Sequence, residues 1–474
     1  MLTFVFRAVF VLAVAGSAVG AAAADRPNIV FFFIDDLGWA DLSYAGSDFH
    51  ETPNIDALAA SGTVFTSAYA NAPNCAPSRA CLLSGKYTPR HGIYTVGDPK
   101  RGNDQFRRLE PVENKTMLAD DFVTWAEVLQ DNGYTLASIG KWHLGADPTT
   151  QGFDVNIAGR EWGSPSGGGY HSPYKFPNLE QKHPGEYLTD RLTDEAIQFI
   201  DDNKAGPFCL YLTHYAVHTP IQAKESLTES FRSKVPGQHQ KNARYAAMLA
   251  SVDESVGRVL AKIDELKLTD STLVIFFSDN GGFGGATSNR PLRGAKGMLY
   301  EGGIRVPLIV RWPGITRPGS RCDEPVIGID LYPTLTEVSG SMTPDGYQLD
   351  GKSLVPLLKD PAASLRRDAI FWHFPAYLQG RGDPAGGPFR TTPAGAIRQG
   401  DWKLIEWFET GRLELYNLRN DLGEARDLSE SQPEKLAELH AAMQRWRADV
   451  SAPIPTMPNP DFDLDAVHRY QRER

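Results

Sequence analysis

Short, uninterrupted apolar runs alternate along the chain with amphipathic stretches. Residues 28–34, NIVFFFI, are apolar after the first position and stop abruptly at Asp35-Asp36-Leu37-Gly38. A strand covered on both faces needs hydrophobic side chains at nearly every position, so this run predicts a central strand with helices on both sides. Similar runs recur at 134–140 (YTLASIG), 207–213 (PFCLYLT), 271–277 (STLVIFF) and 306–312 (VPLIVRW). Met248, Val252, Val256, Val259, Ile263 and Leu266 step by three and four, which predicts a helix over 243–266 with one buried stripe. Leu192, Ala196, Phe199 and Ile200 form a shorter stripe of the same kind. The alternation predicts an α/β sandwich.

After about residue 365 the pattern changes. AIFWHFP, AGAIRQGDWKLIEW and RLELYNL are hairpin-like pieces separated by turns, and an amphipathic stretch follows around 433–447. They predict a small antiparallel sheet with one helix. The expected organisation is a large unit over 25–364, a C-terminal α+β subdomain over 365–450, and a proline-rich tail over 451–474, extended or disordered.

Composition narrows the partners. The 474 residues carry 22% charged side chains and a formal net charge of -10, so no global positive field would hold a nucleic acid. Anionic substrates would need positive charge gathered locally. The first residues place Arg7 before an apolar run that ends in small residues, with Ala22 and Ala24 fitting an A-x-A cleavage site. This predicts a signal peptide over 1–24, a secreted or periplasmic protein, and no stable membrane insertion after cleavage, an uncleaved anchor being the alternative. Cys75, Cys81, Cys209 and Cys322 are too few for a disulfide scaffold, and their spacing leaves Cys81–Cys75 and Cys209–Cys322 open without demanding either.

The residues just past each run carry the chemistry: Asp35-Asp36, then Lys141 and His143, then His214 and His218, then Asp279-Asn280. In open α/β sheets such positions, beyond the carboxyl ends of strands, converge on one crevice. The carboxylates and the amide offer only oxygen, which suits calcium or magnesium and disfavours a zinc site. Each pair alone equally starts a turn or caps a helix; two pairs at two strand ends say more. Lys141, Lys296 and Arg79 could neutralise a compact anion, although any single lysine is equally a solvated charge. His143 and His218 suit a general base and acid, whereas His91, His171 and His373 carry no such context. Cys75, in NAPNCAPSRACLLSG, is open to three readings: an inert buried thiol, a thiolate at a helix N-terminus, or the precursor of another group.

The run CAPSRACLLSGKY resembles the Cys-x-Pro-x-Arg element of the type I sulfatases, in which the cysteine is converted to Cα-formylglycine. The resemblance extends from RPNIVFFFIDDLGWADLSYAG through TPNIDALAASGTVFTSAYA, GKWHLG, THYAVHTP, SDNGG and GAKGMLYEGGIRVPLIVRWPG to GDWKLIEW and LELYNL. It implies an alkaline-phosphatase-like sandwich, a large mixed, mostly parallel sheet between helices with a small C-terminal antiparallel sheet. It also implies that Asp35, Asp36, Asp279 and Asn280 bind calcium, or magnesium, together with residue 75. Arg79 would hold the formylglycine hydroxyl, and Lys141, His143, His218 and Lys296 would line the sulfate pocket. Ser78 is taken as structural.

On that resemblance the hydrated aldehyde attacks sulfur, His218 or Lys296 assists the departing alcohol, and His143 deprotonates the second hydroxyl so that sulfate is eliminated. A formylglycine-generating or maturase enzyme is the implied partner in maturation. The expected activity is hydrolysis of a sulfate ester, of a sulfated carbohydrate and also of aryl sulfates. The alternatives are a formylglycine-dependent phosphonate or phosphodiester hydrolase, whose relatives show Asp-His in place of Asp279-Asn280, and a non-catalytic sulfatase-like binding protein. Segments 158–174, 96–111 and 371–387, with Arg160, Arg101, His171 and His373, are expected to frame the pocket mouth.

Overall fold

A computed structural model of the chain describes residues 26–473 other than 166–167, 177 and 381–386, so the expected signal peptide lies outside the described residues. The strands are β1 (Asn28–Ile34), β2 (Thr63–Phe65), β3 (Ala68–Tyr69), β4 (Thr135–Gly140), β5 (Val155–Ile157), β6 (Phe208–His214), β7 (Thr272–Ser278) and β8 (Leu308–Arg311). They continue as β9 (Ser320–Cys322), β10 (Val326–Ile327), β11 (Ile370–Phe374), β12 (Leu378–Gln379), β13 (Phe389–Thr391), β14 (Ala394–Gln399), β15 (Trp402–Trp407) and β16 (Arg412–Asn417). The helices are α1 (Pro53–Ser61), α2 (Cys75–Ser84), α3 (Thr88–His91), α4 (Trp125–Asp131), α5 (Leu188–Asn203) and α6 (Glu225–Arg232). After them come α7 (Ala243–Glu265), α8 (Glu301–Ile304), α9 (Leu331–Ser339), α10 (Val355–Lys359), α11 (Pro433–Asp449) and α12 (Leu464–Arg472).

Eight strands form the main sheet in the order β5-β4-β6-β1-β7-β8-β2-β9. The pairs β1–β6, β1–β7, β4–β6, β4–β5 and β2–β9 are parallel, and β8 runs antiparallel to both its neighbours. As the uninterrupted apolar run requires, β1 is covered on both faces. Ile29, Phe31 and Phe33 join the core beneath α2, α4 and α9, while Val30, Phe32 and Ile34 pack with α1, α5 and α7. Each of these side chains contributes roughly 1.5–3 kcal/mol by leaving water. The C-terminal sheet, β11-β14-β15-β16, is sandwiched in turn. Trp372, Ala396 and Ile405 face Tyr69, Tyr300 and Ile304 of the larger unit, and Ile397, Leu404 and Leu415 face Leu439 and Met443 of α11.

One expectation changes. Residues 464–472 of the tail form a helix, α12, whose N-cap Asp463 accepts from the backbone of Asp465 and Ala466. The proline-rich stretch before it hides this short amphipathic piece. All four cysteines are free. Cys209 on β6 and Cys322 on β9 lie five places apart in the strand order, about 24 Å at the usual spacing, too far for a disulfide. Among the described residues no helix is long and apolar enough to cross a membrane.

Candidate active site

Parallel pairing aligns the ends of β4, β6, β1 and β7 on one edge of the sheet, so the polar residues just past them meet. Asp35 and Asp36 follow β1, Asp279 and Asn280 follow β7, Lys141 and His143 follow β4, and the turn after β6 carries His218. That turn is tied to β1 by Val217 N–H donating to the Asp35 carbonyl at 2.8 Å. Asp36 and His143 hold left-handed backbones, φ 62° and 67°, a strained conformation for non-glycine residues that clusters at functional sites. His143 needs room as well: a Cβ on Gly163 would come within 2.6 Å of its ring.

Cys75 is the first residue of α2, a helix of ten residues that are all buried, so the positive end of the helix faces the site. Burial acts to raise the Cys75 thiol, but Lys141, Lys296 and hydrogen bonds with His143 and His218 hold it well below its ordinary value. Ser78, by contrast, turns away, its hydroxyl accepting from the Asn71 backbone at 3.3 Å.

Around Cys75 the carboxylates are matched with cations. Lys141 Nζ lies 2.5 Å from Asp35 Oδ2, and Lys296 Nζ lies 2.6 Å from Asp36 Oδ1. Arg79 donates from Nε to Asp279 Oδ2 at 3.0 Å and from Nη1 to the Lys141 carbonyl at 2.8 Å. Burial and the charge of Asp279 push Asp35 up to about 8 despite Lys141. Asp36 moves the other way: burial is outweighed by Lys296 and His218. Burial drives His143 down to about 4, whereas His218, although buried and facing Lys296, is raised by Asp35 and Asp36. The two imidazoles of one site are thus shifted in opposite directions, an arrangement suited to base and acid.

The site gathers groups that could hold a metal ion. Ligand atoms of Asp35, Asp36, Cys75 and His218 lie within 4.8 Å of one another. Among the described residues, Asp35 Oδ1 and Asn280 Oδ1 are buried acceptors with no hydrogen-bond partner, the condition a bound divalent ion would relieve. Asp279 stands outside that tight group, with Oδ1 accepting from the Asp36 N–H at 3.2 Å and Oδ2 held by Arg79.

Above these groups opens a cavity of about 330 Å³, walled by Cys75, His143, His218 and Lys296. Lys141 and Asp35 are absent from its wall and lie fully buried beneath it. A larger groove of about 910 Å³ runs beside β9, but its mixed arginines and acids gather no such chemistry. Of the four rim candidates, Arg101 lines the cavity. Arg160 instead pairs with Glu161 at 3.3 Å and lies over Trp162, His171 packs on Tyr187, and His373 is buried with its ring nitrogen 2.8 Å from the Pro453 carbonyl. Sequence reasoning missed Asn74 and Arg390 on the cavity wall, whereas Gln379 falls within the expected 371–387 segment. Asn74, immediately before Cys75, was within reach of a neighbour argument; Arg390 arrives by strand pairing, which no local pattern signals.

Residues 27–341 match the family described as Sulfatase, and residues 295–449 match that described as N-sulphoglucosamine sulphohydrolase, C-terminal. A sulfatase of Formosa agariphila is 33% identical, the alignment covering 91% of this chain and 90% of that protein. The crystal structure of Ps i-CgsB is similar at a TM-score of 0.75 and 30% identity, over 94% of this chain and 97% of that one. Its complex with k-i-k-neocarrahexaose superposes at a TM-score of 0.74. The phosphonate monoester hydrolase of Agrobacterium radiobacter, 21% identical with a TM-score of 0.64 over 90% of this chain and 96% of that one, shares the fold.

Proposed function

Since the chain belongs to the sulfatase family and hydrolyses sulfate esters, we propose that it releases sulfate from a sulfated saccharide at the Cys75 site, accepts aryl sulfates as well, and works in a secreted or periplasmic setting. One observation carries the reading. Cys75 sits at a helix N-terminus where four oxygen-bearing residues, two lysines and two histidines converge under a cavity. The saccharide part is supported by Ps i-CgsB, whose complex holds k-i-k-neocarrahexaose.

Asp35, Asp36, Asp279 and Asn280 would hold a calcium ion, or magnesium, beside residue 75. Conversion of Cys75 to Cα-formylglycine, by a generating or maturase enzyme, supplies when hydrated two hydroxyls on one carbon, and the cation supplies positive charge next to them.

The chain's own side chains do the remainder. Lys296, on the cavity wall, meets the sulfate oxygens, while Lys141 acts from below by compensating Asp35. His218, 3.8 Å from Asp36, carries the proton that the departing ester oxygen needs. His143, neutral in its buried position, takes up a proton at residue 75. Arg79 is a positioning residue: it fixes Asp279 and the end of β4. Asn280 following Asp279, in place of the Asp-His of phosphorus-cleaving relatives, favours sulfur.

Mass spectrometry of the peptide ending at Arg79 tests the modification, and sulfate release from sulfated mono- and oligosaccharides tests the substrate. The expected results are formylglycine at position 75 in active protein and release from a saccharide. An unmodified cysteine in active protein would sink the mechanism; turnover of aryl sulfates alone would sink the saccharide assignment.

A further inference from the structure

Among the described residues, the rim of the cavity holds more positive charge than one sulfate monoester calls for. Below it each cation already has a carboxylate: Lys141 with Asp35, Lys296 with Asp36, Arg79 with Asp279. Arg101 and Arg390 also line the cavity, and among the described residues neither forms an ion pair and no carboxylate lines the wall. A scissile sulfate ester carries a single negative charge.

Both arginines are held in place. Arg390 lies on β13, which pairs with β12 in a hairpin that also brings Leu378 and Gln379 to the cavity. Its stem passes so near Gly297 that a Cβ there would lie 3.0 Å from Arg390 Cδ, and its guanidinium packs over Phe283 and donates weakly to the Lys296 carbonyl at 3.5 Å. Arg101 comes from the 96–107 loop, with Nη2 donating to the Val96 carbonyl. Loop and hairpin are joined, since Lys100 bridges to Tyr377 and the Tyr377 N–H donates to the Pro99 carbonyl at 3.2 Å. The two guanidinium groups are therefore presented to one cavity by one continuous rim, each half-buried and, among the described residues, with donors to spare.

We propose that Arg101 and Arg390 form a second anion subsite, so that the favoured substrate is a saccharide bearing a further sulfate or carboxylate beside the ester that is cleaved. This rests on the sulfatase reading of the Cys75 site. Planar guanidinium forks match the oxygens of either anion, and burial weakens competition from water and salt.

The test compares kcat/KM of the mature full-length enzyme on four probes: an aryl sulfate, a neutral saccharide monosulfate, its disulfate, and a disaccharide joining that monosulfate to a uronic acid. Each is run with wild type, Arg390→Ala, Arg101→Ala and Arg390→Lys. Wild type should favour the disulfate or the uronate over the monosulfate by roughly 10- to 100-fold, the range of a charge-assisted contact. Which of the two is favoured identifies the second anion. Each alanine variant should lose at least ~10-fold more on that probe than on the aryl sulfate, with partial recovery in Arg390→Lys. Equal losses on all probes would mean that the arginines serve the scissile sulfate, and would overturn the subsite. So would a wild type indifferent to the second anion. Failure of the wild type to cleave any of the four probes would instead bring down the reading on which the subsite stands.

Discussion

Arg79 has no access to solvent, and its place can be taken by no other cation. Its Nη2 lies 2.9 Å from Asp279 Oδ2, Nη1 donates to the Lys141 carbonyl and to Thr213 Oγ1, and the guanidinium lies over the Phe33 ring at 4.8 Å. Lysine keeps the charge but offers a point in place of a planar fork. Arg79→Lys should therefore cost about 2–4 kcal/mol in urea denaturation and lower kcat by roughly 10- to 100-fold, as loss of a group that orients a metal ligand does. Wild-type stability in the lysine variant would contradict that role. His218 makes a sharper claim, because a proton donor matters in proportion to how poor the leaving group is. His218→Asn should slow saccharide sulfates by roughly 10²- to 10⁴-fold and aryl sulfates of acidic phenols far less. An equal loss across a series of phenols of increasing pKa would remove the acid role.

At the scale of elements, the C-terminal tail supports the rim of the cavity. The Asn459 side chain donates to the carbonyls of Asp104 and Arg107 at 2.8 Å each, and its own N–H donates to the Arg108 carbonyl at 2.9 Å. Phe106 packs on Tyr470 of α12, and Arg108 lies over Phe462. Asn459→Ala leaves two carbonyls short of a partner, a loss of about 1–3 kcal/mol. Its local effect should be faster amide exchange over residues 100–110, by roughly tenfold or more, with the exchange of β1 unchanged. None of this was legible from the sequence, where the tail showed only prolines. The central strands were legible to within a residue or two because β1, β4, β6 and β7 are covered on both faces and so carry mostly apolar side chains in unbroken runs. The three-residue strands β2, β5 and β9 were not, since a run that short has no period. Within the site, residues directly past those strands followed from the sheet's geometry. Arg390 could not, because its position depends on β12 meeting β13.

For the molecule as a whole, buried histidines set the response to acid. His91 is driven down to about 3 by burial and Lys115, His214 to about 3 by burial, and His373 to about 4 by burial. His91 shows why the neutral form is required: its Nδ1 accepts the Ile93 N–H at 3.1 Å, and Nε2 lies 3.3 Å from Cys81 Sγ. In the unfolded chain each of these rings titrates near 6.5. Between that pH and the folded values the unfolded state binds the extra protons, so stability is full above about pH 6.5 and declines as pH falls toward 4. Glu424 acts in the opposite sense, since burial raises it to about 7 and makes the folded state the better proton acceptor between about pH 4.5 and 7. The total slope therefore mixes both signs, and one substitution separates them. His91→Asn keeps an acceptor near Nδ1 and removes the titration. Its urea-derived stability should start below wild type at pH 8, because a buried ring is lost, and should then fall less steeply, by about 1.4 kcal/mol per pH unit between pH 6 and 4. Parallel curves for the two proteins would mean that His91 is already protonated in the fold, which the Ile93 hydrogen bond forbids.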